Sequence, residues 1–206
     1  MTALFITLEG GDGSGKSTQL SALTEWLHDH GRTVVQAREP GGTDLGLELR
    51  EIILHRRGYM APRAEALLYA ADRAHHVATV VRPALERGDV VIQDRYFDSS
   101  VAYQGAGRVL APDEVRHISL WATEGLLPHL TVLLDLDPAL GRERLDASRT
   151  RYDRLEAEEA AFHERVRAAY LELAAAEPER FLVLDATRPV DELQASIRDR
   201  VSALLD

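Results

Sequence analysis

The chain has 206 residues, a formal net charge of −10 at pH 7, 45% hydrophobic residues and no cysteine. This composition is typical of a globular protein, and the missing cysteines exclude disulfide frameworks, thiolate nucleophiles and cysteine-ligated metal sites. The acidic balance argues against non-specific binding to nucleic acid, and no apolar run approaches the ~18 residues of a membrane span. We therefore expect neither of these partners, and a cytoplasmic protein.

Predicted strands and helices alternate along the chain. Short runs of apolar and β-branched residues predict strands, and apolar residues at every third or fourth position predict helices. In chain order the predicted elements are a strand at 3–8, a helix at 17–30, a strand at 33–37, helices at 43–55 and 63–81 with Pro83 ending the second, strands at 90–93 and 131–136, helices at 139–146 and 157–176, a strand at 181–185 and a helix at 190–205.

Five buried-type strands separated by helices indicate an α/β fold, with a parallel sheet that helices cover on both faces. Residues 147–156 are dense in charge and poor in large apolar side chains, so we expect a mobile segment there. Neither an internal repeat nor a linker-like composition interrupts the chain, which favours a single domain over residues 1–206.

A glycine-rich motif lies between the first predicted strand and the first predicted helix. Its residues are Gly10, Gly11, Asp12, Gly13, Ser14, Gly15, Lys16 and Ser17, in the pattern G-x-x-x-x-G-K-[ST]. In such a loop, backbone N–H groups approach phosphate oxygens, the lysine reaches the β- and γ-phosphates and the next hydroxyl ligates Mg²⁺. Lys16 is the one lysine among 24 basic residues, which argues against a chance match in a glycine-rich turn. The motif predicts Mg²⁺-dependent binding of a nucleoside triphosphate.

The single lysine also limits the class of phosphate-loop protein. A GTPase that reads guanine with Asn-Lys-x-Asp needs a second lysine, and a large motor ATPase needs more chain than 206 residues. A small phosphotransferase remains, as does a nucleotide-sensing protein that binds without chemistry.

A second informative segment, residues 94–108, follows the third predicted strand. Ligands of open parallel sheets bind at the carboxyl ends of the strands, so Asp94 and Arg95 are predicted to face the same crevice as the glycine-rich loop. There Arg95 could hold a phosphate with its planar fork, and we assign Asp94 to the metal together with Ser17. The alternative for Asp94 and Arg95 is an ion pair on the surface.

Four blocks of sequence resemble the thymidylate kinase family, whose members make dTDP from dTMP in dTTP biosynthesis. The blocks are residues 8–18, 38–43, 94–108 and 134–138, and with residues 153–156 and 185–186 they follow the family's order over essentially the whole chain. The resemblance implies a P-loop NTPase fold with a five-stranded parallel sheet, a short lid at about residues 144–156, ATP as the phosphoryl donor, Mg²⁺, and a homodimer.

The resemblance also implies roles for individual residues. The loop from Gly10 to Thr18 would bind ATP, Tyr69 would stack on thymine, Arg73 would bond thymine O4, and Tyr103 would lie under the deoxyribose. The residues that the resemblance implies for dTMP binding are Asp12, Glu39, Arg50, Tyr69, Arg73, Arg95, Ser100, Tyr103 and Gln104. Without the resemblance, the sequence around Tyr69 predicts a core residue, and Arg50 and Arg73 are predicted to be solvated. Because Tyr69 and Arg73 lie four positions apart in a predicted helix, they share a face, which favours a ligand site.

One distinction within the family concerns the phosphate loop. Some thymidylate kinases carry an arginine after the loop aspartate, where this chain has Gly13. The resemblance to the bacterial-type class implies that lid arginines supply the missing charge, and a charged surface helix end is the alternative. The leading candidates are Arg149 and Arg151, with Arg144 and Arg154 beside them. The predicted catalytic residues are Lys16, Arg95, Arg149 and Arg151.

The expected chemistry is an in-line phosphoryl transfer. An acceptor phosphate is mostly anionic at pH 7, so no general base is needed, and the rate would depend on positioning and charge stabilisation. A kinase for dUMP, another nucleoside monophosphate or a nucleoside remains an alternative, as does a catalytically silent ATP-binding regulator. For the homodimer that the resemblance implies, helices at residues 63–81 or 111–124 could form the interface.

Overall fold

The computed structural model describes residues 2–108, 110–148 and 152–205. The strands are β1 (Leu4–Glu9), β2 (Val34–Arg38), β3 (Val90–Asp94), β4 (Leu130–Asp135) and β5 (Phe181–Asp185). The helices are α1 (Lys16–Asp29), α2 (Asp44–Arg50), α3 (Pro62–His76), α4 (Arg82–Glu86), α5 (Phe97–Ser100), α6 (Pro112–Ala122), α7 (Pro138–Ser148), α8 (Ala160–Ala176) and α9 (Val190–Leu205). The π-helical segments Glu51–His55, Val77–Val81 and Val101–Gly107 continue α2, α3 and α5. No helix within these ranges is long and apolar enough to span a membrane.

In the described part of the chain, a five-stranded sheet has the order β2-β3-β1-β4-β5, and every pairing is parallel. The predicted parallel sheet is therefore confirmed. Helices α1 and α9 cover one face, where Leu23 and Ile197 are fully buried. The segment that continues α3 and the helix α8 cover the other face, through Val77 and Phe162. Apolar strands with little alternation suit a sheet that is buried on both sides.

The prediction that Pro83 ends the third helix is wrong. The backbone stays helical from α3 through the π-helical segment Val77–Val81 into α4, which contains Pro83. Proline lacks an N–H and crowds the preceding turn of an α-helix, and a π turn is a common way to absorb such a break. Val77 and Val81 are buried, so packing against the sheet holds the segment in place.

The functional motifs meet at one edge of the sheet because β1 pairs with β3 on one side and β4 on the other. The glycine-rich loop leaves the end of β1, and Asp94 is the last residue of β3. The stretch that follows, for which the sequence predicts no element, is helical as α5 and Val101–Gly107. Such a switch point at the carboxyl ends of the strands is where open α/β sheets bind ligands.

Candidate active site

A cleft of 530 Å³ opens at this edge of the sheet. Its lining includes residues 12–18 of the glycine-rich loop and Asp94 at the end of β3. All of the residues predicted to bind the acceptor also line it: Asp12, Glu39, Arg50, Tyr69, Arg73, Arg95, Ser100, Tyr103 and Gln104. The sequence positions involved span residues 12 to 104, so the fold brings the predicted donor and acceptor sites into one space.

The glycine-rich loop has the backbone of an anion-binding turn. Gly10, Gly13 and Gly15 have φ angles of 133°, 76° and 93°, a region that glycine adopts without strain. The Lys16 ammonium donates to the carbonyl oxygens of Gly10 and Gly11, at 3.1 Å and 2.9 Å. Burial and the neighbouring Arg95 charge lower the pKa of Lys16. The lysine thus lies folded back on its own loop, beside the N-terminus of α1.

The loop is in backbone contact with α7. A Cβ atom added to Gly13 would lie 2.6 Å from Gly141 O, and one added to Gly141 would lie 2.6 Å from Asp12 O. Arg144, one turn further along α7, donates from Nη1 to Gly13 O at 3.2 Å and from Nη2 to Ala186 O at 3.1 Å. The helix that leads into the predicted lid therefore rests directly on the phosphate loop.

Arg95 is held between two sets of oxygen atoms. Its Nη2 donates to Asp12 Oδ1 at 2.6 Å and to the Tyr103 hydroxyl at 3.3 Å. Its Nη1 donates to Ser99 Oγ at 3.3 Å and to the Tyr170 hydroxyl at 3.4 Å. The side chain is 18% exposed and pairs with Asp12 rather than Asp94, so the alternative of a surface Asp94–Arg95 pair is wrong. Although burial opposes it, the Arg95 and Lys16 charges lower the pKa of Asp12.

Asp94 and Ser17 are the residues that could hold a metal ion. Both line the cleft, and Asp94 Oδ1 is buried without a hydrogen-bond partner among the described residues. The described ranges contain no group of three or more His, Cys, Asp or Glu side chains that could hold a metal ion. Mg²⁺ bound with nucleotide phosphates keeps several waters and takes only one or two protein ligands, so one carboxylate and one hydroxyl suit it.

The two hydroxyl groups that contact Arg95 Nη1 also contact a buried carboxyl group, Glu9. Glu9 Oε1 accepts from the backbone N–H of Tyr96 at 2.7 Å, and Oε2 accepts from Ser99 Oγ at 2.5 Å and from the Tyr170 hydroxyl at 2.9 Å. Burial, with a smaller contribution from the Asp98 charge, raises the pKa of Glu9 to about 7. Sequence reasoning did not single out Glu9 or Tyr170, because Tyr170 lies inside an ordinary amphipathic pattern and no local signal links it to β1.

Arg73 is a fully buried arginine with partners on every side. Its Nε donates to Glu39 Oε2 at 2.7 Å, Nη1 to Ser119 Oγ at 3.1 Å, and Nη2 to Tyr96 O at 3.3 Å and Ser100 Oγ at 3.0 Å. The residue is 1% exposed, so the alternative of a solvated Arg73 is wrong. The other oxygen of Glu39 contacts His76 Nδ1 at 3.1 Å, so both oxygens of Glu39 have a partner on α3.

Gln104 and Tyr69 lie around another buried carboxylate, Glu65. Gln104 Nε2 donates to Glu65 Oε1 at 2.9 Å, and Arg108 and Arg154 form ion pairs with Glu65 at 3.3 Å and 2.6 Å. Tyr69 is buried one turn further along α3 and lines the cleft with Arg73, as the shared helix face predicts. Glu65 was not predicted as a site residue, since one glutamate in a helix carries no such signal.

The predicted lid arginines fall into separate groups. Arg149 and Arg151 lie outside the described residues. Arg154 donates from Nε to Ile53 O at 2.9 Å and pairs with Glu65, so it does not line the cleft. Arg144 does line the cleft. Of the predicted mobile segment, residues 147–148 are the last of α7, and residues 152–156 are also described, with Leu155 and Glu156 buried.

Comparison with known proteins gives the same family over the whole chain. A family model described as thymidylate kinase matches residues 8–197. Thymidylate kinase of Clavibacter michiganensis subsp. michiganensis is 71% identical over 205 residues, which cover 100% of this chain and 97% of that protein. Thymidylate kinase of Leifsonia xyli subsp. xyli is 74% identical over 198 residues, covering 96% and 94%. A crystal structure of thymidylate kinase from Ehrlichia chaffeensis matches with a TM-score of 0.80 at 27% identity, covering 98% and 99%.

Proposed function

The chain belongs to the thymidylate kinase family, and from that membership we propose how its cleft performs the family's reaction. The reaction is the ATP-dependent phosphorylation of dTMP to dTDP. The observation that carries the assignment of roles is that the glycine-rich loop and the predicted acceptor residues line one cleft. We assign residues 1–206 to a single P-loop kinase domain with a lid at about 144–156.

The phosphate end of the cleft, defined as residues 10–18 with Asp94 and Arg95, receives ATP. Backbone N–H groups of the loop and the N-terminus of α1 surround the phosphates, and Lys16 leaves its carbonyl partners to reach the β- and γ-phosphates. Ser17 and Asp94 would hold Mg²⁺, and the orphaned Asp94 oxygen supports this assignment. When bound, Mg²⁺ neutralises charge on the phosphates.

The base end of the cleft, defined as Tyr69, Arg73, Ser100 and Gln104, receives thymine. A guanidinium has five N–H donors, and four of those of Arg73 are used by its protein partners. One donor on Nη1 is left, which suits a single carbonyl such as thymine O4. The ring of Tyr69 is available for stacking on the base, and Gln104 can contact the polar edge of the base.

Transfer takes place between these two ends without a general base, because the acceptor phosphate is already anionic. Arg95 lies beside the loop and can exchange its Asp12 carboxylate partner for a phosphate of either substrate, because both are anionic oxygen acceptors that a guanidinium binds. Tyr103 and Asp12 lie next to it and suit the sugar, and Arg50 is set by its bond to Pro40 O at 2.9 Å. Arg149 and Arg151 of the lid would add positive charge and exclude water from the closed site.

A panel assay tests these assignments. ADP release is followed by a coupled assay with ATP and Mg²⁺ and with dTMP, dUMP, dCMP or no acceptor. We expect dTMP to give the highest kcat/KM. A preference for dCMP would overturn the reading of the base end alone, whereas ADP release no faster with dTMP than with water would overturn the assignment of the whole cleft.

We also propose a homodimer formed through α3 and α6. An apolar groove between these helices is lined by Ala66, Leu67, Val115 and Ile118, and Leu67 is 54% exposed. Sedimentation analysis tests it: Leu67→Glu should yield a monomer, while Leu171→Glu, which places the same charge on an exposed leucine of α8, should not. A monomeric wild type would overturn the proposal.

A further inference from the structure

Tyr170 is a buried residue whose hydroxyl group contacts Arg95. It stands on α8, after the predicted lid, and is 2% exposed. Its hydroxyl lies 3.4 Å from Arg95 Nη1, 2.7 Å from Ser99 Oγ and 2.9 Å from Glu9 Oε2. The ring packs edge-on against Tyr103 at a centroid distance of 6.3 Å. We propose that Tyr170 is a positioning residue for Arg95 in phosphoryl transfer, a proposal that rests on the role assigned to Arg95 above.

The two terminal nitrogens of Arg95 have different kinds of partner. Nη2 faces Asp12 in the phosphate loop, a carboxylate that a substrate phosphate can replace. Nη1 faces only hydroxyl groups among the described residues, those of Ser99 and Tyr170. Hydroxyls that already belong to a buried network do not leave when a phosphate arrives. Nη1 is therefore the fixed point about which the guanidinium turns from Asp12 to the phosphate.

The network that fixes these hydroxyls is closed. Glu9 Oε2, Ser99 Oγ and the Tyr170 oxygen lie 2.5 Å, 2.7 Å and 2.9 Å apart in pairs. Both hydroxyls donate to the Glu9 carboxyl group, so the hydrogen atom of each is already engaged inside the network. Each hydroxyl then keeps a lone pair for Arg95 Nη1.

The contact with Tyr170 does not follow from local backbone geometry. Ser99 lies four residues after Arg95, so their proximity comes with the turn, whereas Tyr170 is 75 residues away. Arg95 itself has a φ of 65°, a region that few residues other than glycine adopt. Arg95 thus has an unusual backbone conformation, and its ion pair with Asp12 is one that a substrate phosphate can replace. Its side chain therefore needs a further contact that stays in place, and the Tyr170 hydroxyl provides one.

The test is a double-mutant cycle between Tyr170→Phe and Arg95→Lys, with kcat and both KM values measured by coupled ADP release. We expect Tyr170→Phe to lower kcat by about 10- to 100-fold, because a misplaced catalytic group costs this much. KM for ATP and for dTMP should stay within about threefold. In the Arg95→Lys background the same change should lower kcat by less than about threefold, since a residue that acts through Arg95 has little left to act on.

Thr24→Val is the matched control. It also removes a buried hydroxyl, whose hydrogen bond to Leu20 O at 2.9 Å lies in α1 away from the cleft. It should lower Tm and leave kcat unchanged. Should Tyr170→Phe fail to fold, Ser99→Ala takes its place in the cycle, because Ser99 Oγ contacts the same Nη1.

The outcomes are distinguishable. A kcat for Tyr170→Phe within about threefold of wild type, or an equal loss in both backgrounds, overturns the proposal for Tyr170 alone. A wild-type rate for the Arg95→Lys variant overturns the role of Arg95 on which the proposal rests.

Discussion

Arg73 and Arg95 face the same cleft but are held in opposite ways. Arg73 is 1% exposed and donates to Glu39, Ser119, Ser100 and a backbone carbonyl. Arg95 is 18% exposed and has one short partner, Asp12 at 2.6 Å, with every other contact at 3.3 Å or more.

The difference suits the two roles that we propose, recognition for Arg73 and chemistry for Arg95. A side chain that reads a base must not move, and Arg73 has its protein partners in place and one N–H donor left. A side chain that moves with the transferred charge must exchange partners, and Arg95 has one carboxylate partner that a phosphate can replace. Substitution of Arg95 should therefore act mainly on kcat, and substitution of Arg73 mainly on the free energy of unfolding.

The largest effect is expected from Arg95→Ala. Loss of an arginine that stabilises the transferring phosphoryl group typically lowers kcat by about 10³-fold or more. Tm should change little, because Asp12 is left at a partly exposed position rather than in the core. Coupled ADP release and thermal unfolding measure the two quantities. A kcat within about tenfold of wild type would contradict the role of Arg95.

Arg73→Ala should act mainly on folding. It leaves Glu39 buried without its closest cation, and breaking one partner of a buried pair typically costs about 3–5 kcal/mol of unfolding free energy. Urea denaturation measures this cost, and the surviving folded enzyme should show a raised KM for dTMP. Equal losses of unfolding free energy in Arg73→Ala and Arg95→Ala would contradict the proposed difference between a fixed Arg73 and a movable Arg95.

Glu65→Gln should weaken base recognition. As a carboxylate paired with two arginines, Glu65 can only accept, so it fixes Gln104 with Nε2 turned toward it. A glutamine there can also donate, and the Gln104 amide is then free to turn. We expect the ratio of kcat/KM for dTMP over dCMP to fall by about tenfold, the effect of one mispaired hydrogen bond.

The control for Glu65 is Glu192→Gln, which also removes a carboxylate from an arginine, but at the surface, where Glu192 is 51% exposed beside Arg188. Its nucleotide preference should equal that of the wild type. A Glu65→Gln variant with wild-type preference would show that the Gln104 amide is fixed by other contacts.

The smallest effects concern pH. Burial raises the pKa of Glu9 to about 7 at the phosphate end and that of Asp72, next to Arg73, to about 6. In both cases the folded protein binds the proton more tightly than the unfolded chain, so unfolding free energy falls as pH rises. The fall spans pH 4.5 to 7 for Glu9 and pH 3.8 to 6 for Asp72.

Urea denaturation across pH 4 to 8 tests this with Glu9→Gln and Asp72→Asn. Each variant should lose the corresponding part of the pH dependence, at most about 1.4 kcal/mol per pH unit for one proton. A wild type that gains stability over pH 4.5 to 7 relative to Glu9→Gln would reverse the sign assigned to Glu9.

The sheet could be predicted from sequence because buried parallel strands are short apolar runs with clear ends; β5 and α9 have the predicted bounds. The helix through Pro83 could not, since it depends on a π turn that packing stabilises. The stretch Val101–Gly107 was missed because its two glycines weaken any helical pattern.

At the site, the resemblance supplied Arg73, but the burial of Arg73 follows from partners on α5, α6 and the loop after β2 that no local pattern brings together. The contacts of Tyr170 were even harder to predict from the sequence. Its contacts with Glu9 and Arg95 join positions 161 and 75 residues apart. Only the tertiary fold creates them.

The contact between Gly13 and Gly141 bears on which sequences evolution can reach from this one. Gly13→Arg would place a side chain on a backbone with φ of 76° and its Cβ 2.6 Å from a carbonyl oxygen of α7. Arginine at position 13 is therefore strained in this fold unless α7 shifts in the same step. We expect substitutions at Gly13 and in α7 to be coupled, whichever is made first.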